Sequence, residues 1–261
     1  MRELKKHKID DRKICLALLT LSAFAIALVR LIKTGDGITD SLISILITRI
    51  FLAATSFFLI RYVKIIVPMI KLKPHILLVP CFLVAINNLP FIALLRGTAA
   101  VTAPFAKVIL FALTCIAVAT CEELAFRGLI FLRICRSRRS KKGIFLSVLL
   151  SSAIFGLFHL FNLIDGAGIG SVIMQVGYSF LIGGMCATVL LACRSILPCI
   201  ALHAIFNFCG GLIPNLGTGF ETVWDPLTIV LTAVVAVVCA VFIIRYLVLH
   251  GDENIDSFYP Q

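Results

Sequence analysis

Three short patterns in this chain combine the residue types that hydrolytic chemistry uses. The first is Glu122-Glu123 followed by Arg127, the second is Phe155 followed four residues later by His159, and the third is His203 followed four residues later by Asn207. Hydrolysis of a peptide bond requires an activated water and a hydrogen-bond donor for the developing oxyanion. A carboxylate with an imidazole can do the first, and an imidazole with a carboxamide the second. On a helix, Glu123 and Arg127 share a face and can pair. Glu122 points about 100° away and is left for other work. His203 and Asn207 also fall on one face.

Each pattern has a plain structural account when taken alone. A Glu–Arg pair can simply hold helices together, and that describes Glu123–Arg127 while leaving Glu122 unexplained. A lone histidine in an apolar helix is more often an interhelical hydrogen bonder than a catalyst. The His203/Asn207 face, by itself, reads as a polar seam. A fourth polar stretch, Asn87-Asn88-Leu89-Pro90, reads as a kink: proline breaks the helical ladder and the asparagines can re-satisfy it. The combination outweighs these accounts, because the three chemical patterns sit on three separate apolar segments. A charge near the centre of a bilayer costs a few kcal/mol or more and is kept facing the bundle interior beside a partner. Two carboxylates, an arginine, two histidines and an asparagine so placed describe a polar cavity inside a membrane protein.

The elements that must position these residues follow from composition. Of 261 residues, 61% are apolar and 14% charged, against about half apolar and a quarter charged in soluble domains. Eight apolar segments are near the 20 residues needed to span a bilayer: 14–32, 42–60, 76–95, 105–132, 143–163, 172–193, 197–213 and 226–249. Unbroken runs of this length exclude barrel strands. The fold class is therefore all-α, a polytopic transmembrane bundle of about eight spanning helices. The first run is longer than a signal-peptide core and reads as an uncleaved helix. The links 165–170 and 214–222 read as turns.

The net charge of +11 would suggest nucleic acid in a soluble protein, but the basic residues lie in short runs between apolar segments. With the N-terminus cytoplasmic, 18 of the 24 fall on one side and three on the other, a strong positive-inside pattern that makes nucleic acid the weaker reading, so no nucleic-acid partner is expected, and both termini are expected in the cytoplasm. The ten cysteines form no C-x-x-C pair and read as small apolar fillers. Three regions emerge: N-terminal helices over 1–104, a core over 105–211 that carries the chemistry, and a last helix with an acidic tail over 212–261.

The order E-E-x-x-x-R, F-x-x-x-H, H-x-x-x-N at Glu122–Arg127, Phe155–His159 and His203–Asn207, each on its own helix, resembles the CAAX protease and bacteriocin-processing family of intramembrane endopeptidases. That family includes type II CAAX prenyl endopeptidases and Abi-type bacteriocin-immunity proteins. The resemblance covers roughly Phe105–Gly211. It implies a helical peptidase core, Glu122 and His159 on the catalytic water, and His203 and Asn207 on the oxyanion, with Glu123 and Arg127 in support. It also implies a glutamate-activated water with no cofactor, acting on a peptide or lipidated protein substrate at the membrane. Three alternatives stand beside this. Two histidines and a glutamate also make a zinc set, although no H-E-x-x-H spacing supports one. Buried Glu, His and Arg also build proton relays in transporters, although no inverted repeat is visible. A non-catalytic immunity-type protein could keep the same motifs.

Overall fold

Backbone groups in hydrocarbon have no water to bond, so each long apolar run closes its own hydrogen bonds as a helix. The computed structural model describes residues 33–68, 73, 75–164, 166–219 and 225–259, with Thr20 and Ala23. The segment expected as the first span, 14–32, lies outside these residues apart from those two. Six described helices are long and apolar enough to cross a membrane: α1 (Gly37–Tyr62), α4 (Phe105–Cys135), α5 (Lys141–Leu163), α6 (Ile169–Cys193), α7 (Leu197–Leu216) and α8 (Pro226–His250). In α6, 67% of the most apolar stretch is buried inside the protein, against 11% in α1 and α8. The inner helix is thus α6, while α1 and α8 turn most of their surface outward.

The segment expected as a single span over 76–95 is broken. It forms α2 (Leu78–Asn87) and the short α3 (Phe91–Leu95), separated at Asn88–Pro90. Pro90 has no N–H to continue the ladder. The asparagines do not re-satisfy their own helix, as the sequence suggested. Asn88 donates from Nδ2 to the Phe206 carbonyl of α7 at 2.8 Å, and Asn87 from Nδ2 to the Thr232 hydroxyl of α8 at 2.9 Å. Gly210 makes the first approach feasible, since a Cβ there would overlap the Asn88 amide. The break therefore becomes a joint between α2, α7 and α8.

Local signals set the ends. Asp36 caps α1 by accepting from the Thr39 amide at 3.1 Å and pairs with Lys107 at 2.8 Å; the lysine and threonine hold its carboxyl down at about 2. Ser140 caps α5 through the Gly143 amide, and Asp225 caps α8 ahead of Pro226, the position where proline's missing N–H costs nothing. Where a turn was expected over 214–222, α7 instead runs on through Pro214 to Leu216. The chain then forms β2 (Gly217–Thr218), antiparallel to β1 (Ala100–Val101). Similarly α6 already begins at Ile169, inside the link expected over 165–170.

The helices pack chiefly as α5 on α6, α1 and α7 on α4, and α2 on α7 and α8. Small residues bring α5 and α6 together. A Cβ at Gly156 would lie 2.8 Å from the Val176 carbonyl oxygen, and one at Gly183 would lie 3.0 Å from Ser152 Cα. Such close backbones replace the hydrophobic driving force that lipid removes. The nine described cysteines are free and buried.

The basic loops converge at one end of the bundle. There the Lys73 amide donates to the Cys193 carbonyl, the Ile196 amide to that of Pro68, and Lys141 Nζ to that of Leu249. The opposite end holds the β1–β2 pair, the Asp36–Lys107 pair and the Arg96–Asp225 pair. The acidic tail is docked at the basic end. Ile255 and Phe258 are buried, the Ile66 amide donates to the Phe258 carbonyl, and the Tyr259 hydroxyl donates to that of Leu132. Asp256 meets Arg139, whose guanidinium also lies over the Tyr259 ring.

Two outcomes follow for purified protein in detergent. Gly156→Ala lowers the unfolding midpoint because its Cβ meets backbone, at a cost of about 1–3 kcal/mol. Gly177→Ala, with nothing within 4 Å, leaves the midpoint unchanged or slightly higher. Phe258→Ala destabilises by about 3–5 kcal/mol. Asp256→Ala changes stability by no more than about 1 kcal/mol, because its ion pair is exposed. Denaturant or thermal unfolding reads both contrasts.

Candidate active site

The site begins late in α4, where two glutamates face different partners. Glu123 is fully buried and Glu122 is 7% exposed. Immediately after them the helix widens: Leu124–Phe131 is π-helical before a last α turn, Leu132–Cys135. Such π segments recur at functional sites because they re-aim side chains within a continuous helix. The pairing expected from spacing is present, with Arg127 Nη1 donating to Glu123 Oε1 at 2.8 Å. Arg127 is 2% exposed and its guanidinium sits 4.3 Å from the centre of the Phe155 ring, a cation–π contact strengthened by the absence of water.

Across the bundle, α7 brings His203 to the same carboxylate. Its Nδ1 lies 2.7 Å from Glu123 Oε1. The carboxylate accepts, so Nδ1 carries the proton and Nε2 is presented to Glu122 Oε2, 3.7 Å away. This link between Glu123 and His203 was not foreseen from the sequence, where Glu123 was assigned only to Arg127. Glu123 Oε2 and Arg127 Nη2 are sealed without a hydrogen-bond partner. That is costly, so the network depends on its charge-assisted bonds and on the Phe155 face.

Phe155 is the hub. Its ring is 5.0 Å from that of His159 and 5.7 Å from that of His203, both edge to face, with Phe126 4.8 Å away. His159 opens the 3₁₀ turn His159–Leu163 that ends α5. Its Nδ1 lies 2.9 Å from the Phe155 carbonyl, which can only accept, so the protonated Nδ1 leaves Nε2 open. His159 is half-buried and makes no ion pair with either glutamate among the described residues. Asn207 is half-buried one turn beyond His203 on α7, with no hydrogen bond to a described residue. The structure therefore joins Glu122, Glu123, Arg127 and His203 directly, and sets His159 across Phe155 from them.

Glu122 itself makes no hydrogen bond to a described residue. Its nearest charged neighbours are His203 and a residue the sequence reading left unplaced: Arg49 of α1, whose Nη1 lies 3.9 Å from Glu122 Oε1. The signal for Arg49 was an arginine in the middle of an apolar run, but nothing in the chain said which helix it would face. Among the described residues no group of three His, Cys, Asp or Glu side chains is arranged to hold a metal ion.

Chemically, the arrangement offers a buried carboxylate with free lone pairs. Facing it is an imidazole whose far nitrogen is clamped by a second carboxylate, and a second imidazole stands nearby with an open nitrogen. Residues 104–209 match the family model described as Type II CAAX prenyl endopeptidase Rce1-like. The match opens one residue before α4 and closes within α7. It includes all seven motif residues and leaves out Arg49. No curated protein and no solved structure matches the chain. The chain is a multi-pass integral membrane protein whose segment 104–209 is similar to the type II CAAX prenyl endopeptidase Rce1-like family.

Proposed function

We propose that this protein hydrolyses a peptide bond in a membrane-associated or lipidated peptide, with Glu122 activating the water and His203 beside it. The observation that carries the reading is the state of Glu122: a carboxylate inside the bundle, free of hydrogen bonds, with His203 Nε2 3.7 Å away. That gap is too long for a direct hydrogen bond and fits one water held by both groups. Glu123 orients His203 through Nδ1, as a second carboxylate commonly orients a catalytic imidazole, and Arg127 holds Glu123.

In the step itself, the water oxygen adds to the substrate carbonyl carbon while its proton passes to Glu122. The carbonyl electrons move onto oxygen, where the Asn207 carboxamide supplies a donor. Collapse of the tetrahedral species then breaks the C–N bond, and the proton held by Glu122 goes to the leaving amine. His159, with Nε2 open and Phe155 between it and His203, stands where it can meet the water or the substrate from the other side. The chemistry requires no metal in this reading; zinc is the alternative that a chelator tests. The end bearing the basic loops is assigned to the cytoplasm, since positive residues are retained there. Lipidated tails made in the cytoplasm would reach the site from that face. The family description favours CAAX-type prenylated tails over leader or signalling peptides.

Purified protein in detergent should cleave a prenylated peptide, and Glu122→Gln should reduce turnover by at least about 10²-fold. Asn207→Ala should cost about 10²–10³ as an oxyanion donor, and His203→Ala at least about 10² as the partner of Glu122 on the water. Cleavage insensitive to a chelator supports the glutamate-activated water, and cleavage abolished by it replaces that water with a zinc-bound one. A wild type that cleaves neither prenylated nor leader-like peptides overturns the peptidase reading in favour of an immunity-type or transport role.

A further inference from the structure

The matched segment supplies two carboxylates and only one arginine to the site, and the arginine is taken. Arg127 is sealed against Glu123 and Phe155, so it cannot also neutralise Glu122. The groups that face Glu122 can be named helix by helix: Glu123 and Arg127 share α4, His203 comes from α7, Tyr178 from α6, and Arg49 from α1. His159 of α5 stands beyond Phe155. Of these, Arg49 alone is a permanent cation not already bonded to another carboxylate. It is the residue able to balance the charge of Glu122 without drawing on His203.

We propose that Arg49 is a positioning residue for Glu122. Standing outside the matched segment, it supplies the counter-charge that keeps Glu122 ionised yet free of hydrogen bonds. This inference rests on the peptidase reading for its purpose, but the ionic relation it asserts does not.

Three observations carry it. Arg49 lies about 18 Å from either end of α1 at 1.5 Å per residue, a depth at which an arginine is retained only for a partner. Its guanidinium is 3.9 Å from Glu122 Oε1, beyond hydrogen-bond reach but well within effective Coulomb attraction in a low-dielectric site. Its side chain is one-third exposed while that of Glu122 is 9% exposed. A tie that merely fastened α1 to α4 would be expected to resemble the Glu123–Arg127 pair, bonded at 2.8 Å and sealed. Arg49 does neither. It neutralises charge without occupying the lone pairs that a water must use. Its other close neighbour is the Cys121 thiol, which adds no competing charge at neutral pH.

The test uses the full chain in detergent and reads protonation directly. Infrared difference spectra of protein with isotope-labelled glutamate are compared for wild type, Arg49→Gln, Arg49→Lys and the double substitution Arg49→Gln with Glu122→Gln. A protonated-carboxyl band is expected in Arg49→Gln near neutral pH, absent in wild type and Arg49→Lys, and lost again in the double variant. Absence of the band in Arg49→Gln, or its persistence in the double variant, overturns the proposal. Arg49→Met, apolar and tolerated by lipid, takes the place of Arg49→Gln if that variant does not fold. In the peptidase assay Arg49→Gln should lose kcat by roughly tenfold or more near pH 7, recover as pH is raised, keep KM, and be rescued by Arg49→Lys. A loss that is flat across pH and not rescued by lysine marks a structural tie and also overturns it. If the wild type cleaves no peptide, the peptidase reading fails while the infrared comparison still decides the role of Arg49.

Discussion

Glu123 is a fully buried carboxylate in the middle of a membrane bundle, and the surrounding structure is arranged around making that tolerable. An unpaired charge there would be untenable, and removing one partner of a buried pair typically costs about 3–5 kcal/mol. Glu123 is met by Arg127 from the next turn of its own helix and by His203 from α7. Because the first partner is local and the second is not, the ion pair can form as soon as α4 is helical, and α7 must then dock in a register that delivers an imidazole to the second position. The Phe155 ring closes the arrangement by presenting its face to the guanidinium, which fixes α5. One buried charge thus ties three helices at a single level. Such networks are weak sources of net stability, and their best-attested use is to favour one packing over others.

The geometry around Glu122 is complementary. Its neighbour Glu123 has its charge satisfied by direct bonds, whereas Glu122 has charge nearby at 3.7 and 3.9 Å and no bond at all. Adjacent residues differ so much because a helix turns about 100° between them, so one carboxylate faces the packed seam and the other the space between α1, α4 and α7. The π-helical widening directly after the pair lets Arg127 keep its reach to Glu123 while the following residues shift toward α1 and α5.

Away from the site, the bundle is held by means suited to lipid. Small residues let α5 and α6 approach to backbone contact, and an amide side chain from the break after α2 bonds the α7 backbone three residues after His203. At the basic end, the docked tail threads Ile255, Phe258 and Tyr259 between the ends of α4 and α6 and the segment that follows α1. Water is available at that end to drive apolar burial, as it is not within the hydrocarbon, so an aromatic plug stabilises there what small-residue packing does deeper in the membrane.

Much of this was legible without coordinates. Hydrophobic runs of membrane length admit helices because the backbone has no other partner in lipid, so the six described spans and the helical class follow from residue order alone. The i, i+4 pairing of Glu123 with Arg127 follows from helix geometry, and the basic residues foretold that their loops would share one end. What tertiary structure decided is every relation between helices. The order of residues along one helix does not say which neighbour it will face, so neither the His203–Glu123 bond nor the approach of Arg49 to Glu122 could be read from spacing. The asparagines before Pro90 looked like repairs to their own helix and proved to bond two others. The acidic tail carried no signal of where it would lie, and its three apolar residues find a cleft that exists only once the helix ends have assembled. Local periodicity determines which residues can be presented on a face; only the packed bundle determines what each face meets.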